Sequence, residues 1–253
     1  MTTAARTLAY PPNPSYGAGT CRRRILLRQE ERQVFASLDD NYHEMTCHLS
    51  HDDRVVTDVT AETLRIPTSA CPGAAAVLRE LIGVPLDIDM AALYGGGRSR
   101  RHCTHLFDLA ALAIVHAGRP ETNRRYEASV PDSGGGPVTI EVWRDRQLVH
   151  AWQIQDDHIV SPPELAQLPL LTGFMAWAVR HFRDHNLEAA AVLSKTYLIA
   201  NGRRYQTEAF AGRSIRINGQ MTGLCHSYSR EQVDQATFLS GNVRDYSHGI
   251  PEK

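Results

Sequence analysis

Four short stretches set a thiol or an imidazole at a place where chemistry can use it. They are His43-Glu44 with Cys47-His48, Cys71, His102-Cys103-Thr104-His105, and Cys225-His226. The third says most. It follows Gly95-Gly96-Gly97 and Arg98-Ser99-Arg100-Arg101, and it opens the apolar run Leu106 to Ala117. A loop that turns into a helix leaves backbone N–H groups unpaired, and the helix dipole is positive there. That setting is expected to lower a cysteine pKa and to disfavour a charged histidine. A neutral imidazole accepts a proton, so His105 suits a general base, and His43 and His105 are candidates for base and acid. Cys103 and His226 complete the candidate catalytic set. Tyr42, Glu44, Arg98, Arg101 and Tyr228 are candidates for holding substrate, the arginines as an anion pocket for a carboxylate or phenolate. The plainer alternative is packing: a buried cysteine acts as a small hydrophobe, and a core histidine beside Met45 is satisfied by one hydrogen bond.

No pair of ligands has the spacing of a structural zinc site. A metal would need donors from separate segments, and His43, Cys103, His105 and Cys225 are the alternative zinc set. The expectation is no cofactor. The sequence has no Gly-x-Ser-x-Gly elbow, no His-Glu-x-x-His helix and no dinucleotide fingerprint. What remains is unaided acid–base chemistry, thiol chemistry, or a metal held by the scattered His/Cys set.

The elements that must position these groups follow from apolar periodicity. Arg24 to Phe35 reads as a strand or a strand pair around Gln29-Glu30-Glu31-Arg32. Tyr42 to Leu49 alternates, with His43, Met45, Cys47 and Leu49 on one face and Glu44 on the other. Ser50 to Arg54 is a polar turn, and Val55 to Thr63 returns as a second strand. Gly73 to Ile82 is a short helix stopped by Gly83, and a helix runs from Leu106 to Ala117. Pro137 to Trp143 and Leu148 to Ile154 repeat the hairpin. A helix over about 170–185 and another over Leu187 to Ala200, capped near Asn186, follow. Arg213 to Asn218 reads as a short strand.

The expected fold is α+β, mostly antiparallel sheet with about four main helices, in two similar hairpin-plus-helices halves sharing a core. Residues 1–20, rich in proline and glycine, are expected to form an extended N-terminal arm. Residues 21–253 form one catalytic domain with halves at about 21–120 and 121–230.

Composition narrows the class. The 253 residues are 42% hydrophobic and 22% charged with a formal net charge of −1, as in an ordinary globular protein. Nothing marks a nucleic-acid partner or a membrane span. Five irregularly spaced cysteines are no disulfide framework and, with no apparent signal sequence, fit a reducing cytoplasm.

The order His43-Glu44-Met45, Pro67 with Cys71, Cys103-Thr104-His105-Leu106, then Cys225-His226 resembles the bacterial domain of unknown function 2889 family. There the corresponding places read His-Asp-Met, Pro-Tyr-x-x-Cys, Gly-Cys-Thr-His-Leu and Cys-His-Ala. Glu44, Thr68 and His102 depart from that pattern. The resemblance covers about 22–118 and, more faintly, 213–228. It names no activity. It implies that His43, Cys71, Cys103, His105, Cys225 and His226 converge, in a setting of aromatic catabolism similar to that of formaldehyde-releasing lyases. The functional expectation is therefore a small-molecule lyase using acid–base catalysis on an aromatic substrate, by retro-aldol-type cleavage, and forming a homodimer. A zinc-dependent hydrolase and a non-enzymatic scaffold are the alternatives.

Overall fold

Alternation of inward and outward side chains builds the scaffold. The computed structural model describes residues 10–252. In β1 (Thr20–Glu30), Cys21, Arg23, Ile25 and Leu27 are buried on one face. β2 (Gln33–Asp40), β3 (Glu44–His51) and β4 (Val56–Arg65) continue as a meander, with Val34, Ala36, Leu38, Met45, Cys47 and Leu49 buried. The second half repeats the order with β5 (Asn123–Pro131), β6 (Val138–Arg144), β7 (Gln147–Gln155) and β8 (His158–Ser161). All eight strands form one antiparallel sheet in the order β4-β3-β2-β1-β5-β6-β7-β8. The halves are thus joined by the β1–β5 pair, in which Ile25 faces Tyr126.

Each meander is followed by a long helix. α1 (Ala74–Val77), α2 (Met90–Leu93) and α3 (Arg98–Arg101) are single turns that lead to α4 (Thr104–Ala117), which packs on β1 to β3. α5 (Phe174–His181) leads to α6 (Asp184–Ala200), which packs on β5, β6 and β1. Every residue of α4 from Leu106 to Ala117 is buried, because the sheet lies under one side of it and loops cover the other. No helix among the described residues is long and apolar enough to cross a membrane.

Several expectations need correction. β5 was not anticipated. Its inward positions are Arg124, Tyr126, Ala128 and Val130, and the arginine hides the alternation. β8 is too short to show a period. The helix expected over 170–185 is only α5: Gly173 enters it with a left-handed φ of 84°, and Phe182 is already extended. α6 starts at Asp184, so Asn186 lies inside its first turn and is no cap. Ile215–Ile217 is a 3-10 turn with a single bridge from Ser214 to Thr237, not a strand. Of the expected N-terminal arm, residues 1–9 lie outside the described residues. Residues 11–13 pair with 204–206 of the same chain.

Candidate active site

The centre of the site is a buried carboxylate. Asp40 ends β2 and is fully buried. Its Oδ2 accepts from Arg23 Nη2 at 2.7 Å and Nε at 3.2 Å. Its Oδ1 accepts from the backbone N–H groups of Tyr42 and His43 at 2.8 Å each, and sits 3.0 Å from His43 Nδ1. Burial alone would raise this carboxyl. The His43 and Arg23 charges outweigh it and hold it well below the usual carboxylate range. Arg65 clamps the same turn, donating from Nη2 to the carbonyls of Asp40 at 2.6 Å and His43 at 3.0 Å and to Asp39 Oδ1 at 2.7 Å. Removing the charge of Asp40 would leave Arg23 buried without a counter-ion.

The two imidazoles meet across this turn. The rings of His43 and His105 lie with centroids 4.0 Å apart, tilted by 47°. Their tautomers follow from their partners. An ionised carboxylate only accepts, so His43 carries a proton on Nδ1, and in its neutral form its Nε2 is an acceptor. A guanidinium only donates, and Arg23 Nη2 lies 3.1 Å from His105 Nδ1. His105 therefore accepts at Nδ1 and carries its proton on Nε2. One ring offers a base nitrogen and its neighbour an N–H donor. Burial, then the charges of His43 and Arg23, push the His105 pKa well below its ordinary value. In its neutral form His105 therefore offers an N–H donor at Nε2 rather than an accepting nitrogen.

The thiols gather on the other side of the α4 start. Cys103 is the N-cap residue of α4 and is buried. Cys71 Sγ lies 3.2 Å from Thr68 Oγ1 and 3.4 Å from Ser227 Oγ, beside the turn that carries Cys225 and His226. The expectation of a lowered thiol pKa at this helix start fails. Burial and the neighbouring Cys71 and Cys225 outweigh the N–H groups of Leu106 and His105, and the Cys103 thiol is pushed up to about 12. Burial likewise raises Cys225. Cys103 is a protonated thiol at neutral pH. His226 donates its backbone N–H to the His102 carbonyl at 3.0 Å. Its Nε2 packs against Gly73, where an added Cβ would sit 3.0 Å away. Among the described residues no three His, Cys, Asp or Glu side chains form a group able to hold a metal ion.

The expected substrate-holding residues are dispersed. Arg98 and Arg101 turn to Glu80, at 3.3 and 3.4 Å, and His102 Nε2 lies 2.9 Å from the same oxygen. Arg98 and Arg101 thus share a carboxylate that sequence spacing does not place there. Tyr42 is buried with its ring against Gly202. Glu44 is half-buried near Arg65, on the face away from the core. Tyr228 belongs to a small separate core with Ile215, Val233, Ala236 and Phe238. A cleft of about 630 Å³ lined by Tyr16, Asp132, Asp157, Tyr197, Arg204 and Tyr205 contains none of the expected site residues.

Sequence reasoning missed Arg23 and Asp40. The signal was present: Arg23 shares its strand face with Cys21, Ile25 and Leu27, and a charge on an apolar face is retained only with a partner. It also missed Tyr94, Asp108 and Lys195. Tyr94 donates to Asp108 Oδ1 at 2.5 Å, and Lys195 Nζ lies 3.5 Å from Asp108 Oδ2.

Residues 27–117 match the family described as Protein of unknown function (DUF2889). The matched stretch carries Asp40, His43, Cys71, Cys103 and His105, and leaves out Arg23, Lys195, Cys225 and His226. No curated protein matches the chain.

Proposed function

We propose that this protein is a small-molecule lyase that cleaves a carbon–carbon bond by acid–base catalysis at the His43–His105 pair. The observation that supports it is the close ring pair, with Asp40 on His43 Nδ1 and Arg23 on His105 Nδ1. His43 Nε2, oriented through Nδ1 by Asp40, takes the proton of a substrate hydroxyl. The electron pair of the adjacent C–C bond is released as that hydroxyl becomes a carbonyl. Where the electrons settle as an enolate oxygen, the His105 Nε2–H donates to it, as a neutral imidazole does when it acts as electrophile. The products are an aldehyde and a second carbonyl compound after carbon protonation. Aromatic β-hydroxy carbonyl compounds are the substrates of choice, with formaldehyde as the aldehyde where the hydroxyl is primary.

The test is aldehyde release from a panel of such compounds, with His43→Ala beside the native protein. The expected result is turnover in the native protein and a loss of about 100-fold to 10,000-fold in the variant. Thermal unfolding should hardly change. Turnover independent of His43 would end this reading. Activity that tracks stoichiometric zinc and disappears on chelation would replace it with a metal-dependent one.

A further inference from the structure

Twenty-seven residues of the chain are lysine or arginine, and lysine occurs only at positions 195 and 253. Among the described residues the other side chains that pair with a buried carboxylate through a permanent charge are arginines: Arg23, Arg65, Arg119 and Arg203. Arginine is the better residue for ion pairing, because its fork bonds a carboxylate at two points and never loses its proton. A lone lysine inside such a chain marks a role that a guanidinium does not fill. That role is an amine that gives up its proton and attacks carbon.

Its location agrees. Lys195 lies within the Leu187–Ile199 stretch of α6, where Val192, Leu193, Ser194, Thr196 and Tyr197 are all buried, and its side chain is 21% exposed. Its partner Asp108 sits one turn along α4 from His105, so the two project from the same helix face. The pairing with Asp108 holds Lys195 on the α4 face that carries His105, and its charge acts at both His105 and Cys225. Asp108 is itself bonded to the Tyr94 hydroxyl at 2.5 Å, so amine, carboxyl and phenol form one chain of proton carriers drawn from α6, α4 and the end of α2.

We infer that Lys195 forms an iminium with a carbonyl substrate, and that the substrate is a β-hydroxy ketone or aldehyde. This rests on the lyase reading above and replaces its enolate by an enamine. The Lys195 ammonium passes one proton to Asp108, and the amine nitrogen bonds to the substrate carbonyl carbon. Asp108 returns that proton to the departing oxygen, so that one water leaves and the positive charge stays on the C=N bond. His43 Nε2 then removes the β-hydroxyl proton. The C–C electron pair flows into the iminium to give a neutral enamine, and the β-carbon departs as an aldehyde. Protonation of the enamine carbon and addition of water release the ketone and restore the amine.

The experiment is reductive trapping with 4-hydroxy-2-butanone and cyanoborohydride on the whole protein, followed by peptide mass analysis. Lys253 and the N-terminal amine are internal comparators in the same tube. The expected adduct is on Lys195, at least about ten times that on Lys253, and absent from Lys195→Arg. Lys195→Arg keeps the charge opposite Asp108, so it should unfold at the native temperature while turnover falls by about 1,000-fold or more. Equal labelling of the two lysines, or full turnover in Lys195→Arg, overturns the inference. The two readings fail separately. Aldehyde release that needs His43 without any Lys195 adduct leaves the lyase standing and removes the amine. A Lys195 adduct with no aldehyde released from any compound keeps the amine and removes the lyase.

Discussion

The two long helices start in the same way and end up doing different things. About the Ile25–Tyr126 pair, Arg23 on β1 and Arg124 on β5 are equivalent inward positions, facing Ala128 and Leu27 respectively. Arg23 reaches the second residue of α4, His105 Nδ1, at 3.1 Å, and Arg124 reaches the second residue of α6, His185 Nδ1, at 2.6 Å. Each arginine also holds an aspartate at the end of the neighbouring strand: Asp40 at 2.7 Å, Asp145 at 3.1 Å. The divergence is in the turn that follows. After β2 the chain takes Asn41, Tyr42 and His43, and Asp40 is sealed beneath them. After β6 the turn is only Asp145-Arg146, both with left-handed φ, and the Asp145 side chain is 47% exposed. The α6 copy instead gathers Glu188, which pairs with Arg119 at 2.6 Å and accepts from Tyr126 at 2.7 Å. One copy of the arrangement holds a second imidazole over a sealed aspartate. The other became an ion-paired strut. The contrast is what the proposed reaction needs: two neighbouring imidazoles over a sealed carboxylate in the first copy only.

Four measurements break or sharpen this contrast. The largest effect is expected from Asp40→Asn. It removes the acceptor that fixes the His43 tautomer, and turnover should fall by about 1,000-fold to 10,000-fold, with thermal unfolding followed in parallel. Turnover within tenfold of native would make Asp40 a structural residue like Asp145. Next is Glu188→Ala, which strands a buried arginine and a tyrosine hydroxyl. Denaturant unfolding should show a loss of about 3–5 kcal/mol, with turnover per folded molecule unchanged. The third is pH. His105 is held below its ordinary value, so its neutral form stabilises the fold fully above about pH 6.5, and that stability is lost as the pH falls below it. Glu188 is held at about 2 by its hydrogen bonds to His185 and Arg119 despite burial, so its contribution persists down to about pH 4.5 and is lost between there and 2. His105→Asn should lessen the loss of stability below about pH 6.5, which the lowered His102, His116, His150 and His226 share, and leave the Glu188 limb intact; an unchanged slope below pH 6.5 would show that His105 does not contribute to it. The smallest effect is Arg101→Ala. Its side chain is 57% exposed and shares Glu80 with two other cations, so stability should move by less than about 0.5 kcal/mol and turnover not at all. A clear loss of turnover would restore the basic cluster to the substrate.

What was legible in the sequence was what repeats with a short period. Met45, Cys47 and Leu49 announce their strand face, and Leu106 to Ala117 announces its helix. The placing of His105 in a helix start beside His43 was within reach because family order brought those motifs together. The rest depends on contacts between distant segments. Glu80 lies far from Arg98 in the mind of any local rule, yet it takes the charge of three neighbours. The inward arginines of β1 and β5 break the apolar alternation, so the strand that joins the halves went unseen for the same reason that its partner later became part of the site. Thiol acidity was misjudged because a helix start acts over a few ångströms, whereas the burial of Cys103 and its gathering with Cys71 and Cys225 from two other segments are facts of tertiary structure.

The β1–β5 pairing also bears on how the chain reaches this structure. Six of the seven strand pairings join neighbours in sequence through turns, and the remaining one brings Arg23 opposite Ala128. Hairpins close in about 1–10 μs, whereas tying off a loop of roughly 100 residues costs on the order of 4 kcal/mol in chain entropy before any contact rewards it. Non-local pairing of this kind is the slow kind of contact to form. Asp40, His43 and His105 belong to the first meander and the helix that follows it, which can assemble before the seam closes, whereas Lys195 stands on α6 and comes beside them only with the second half.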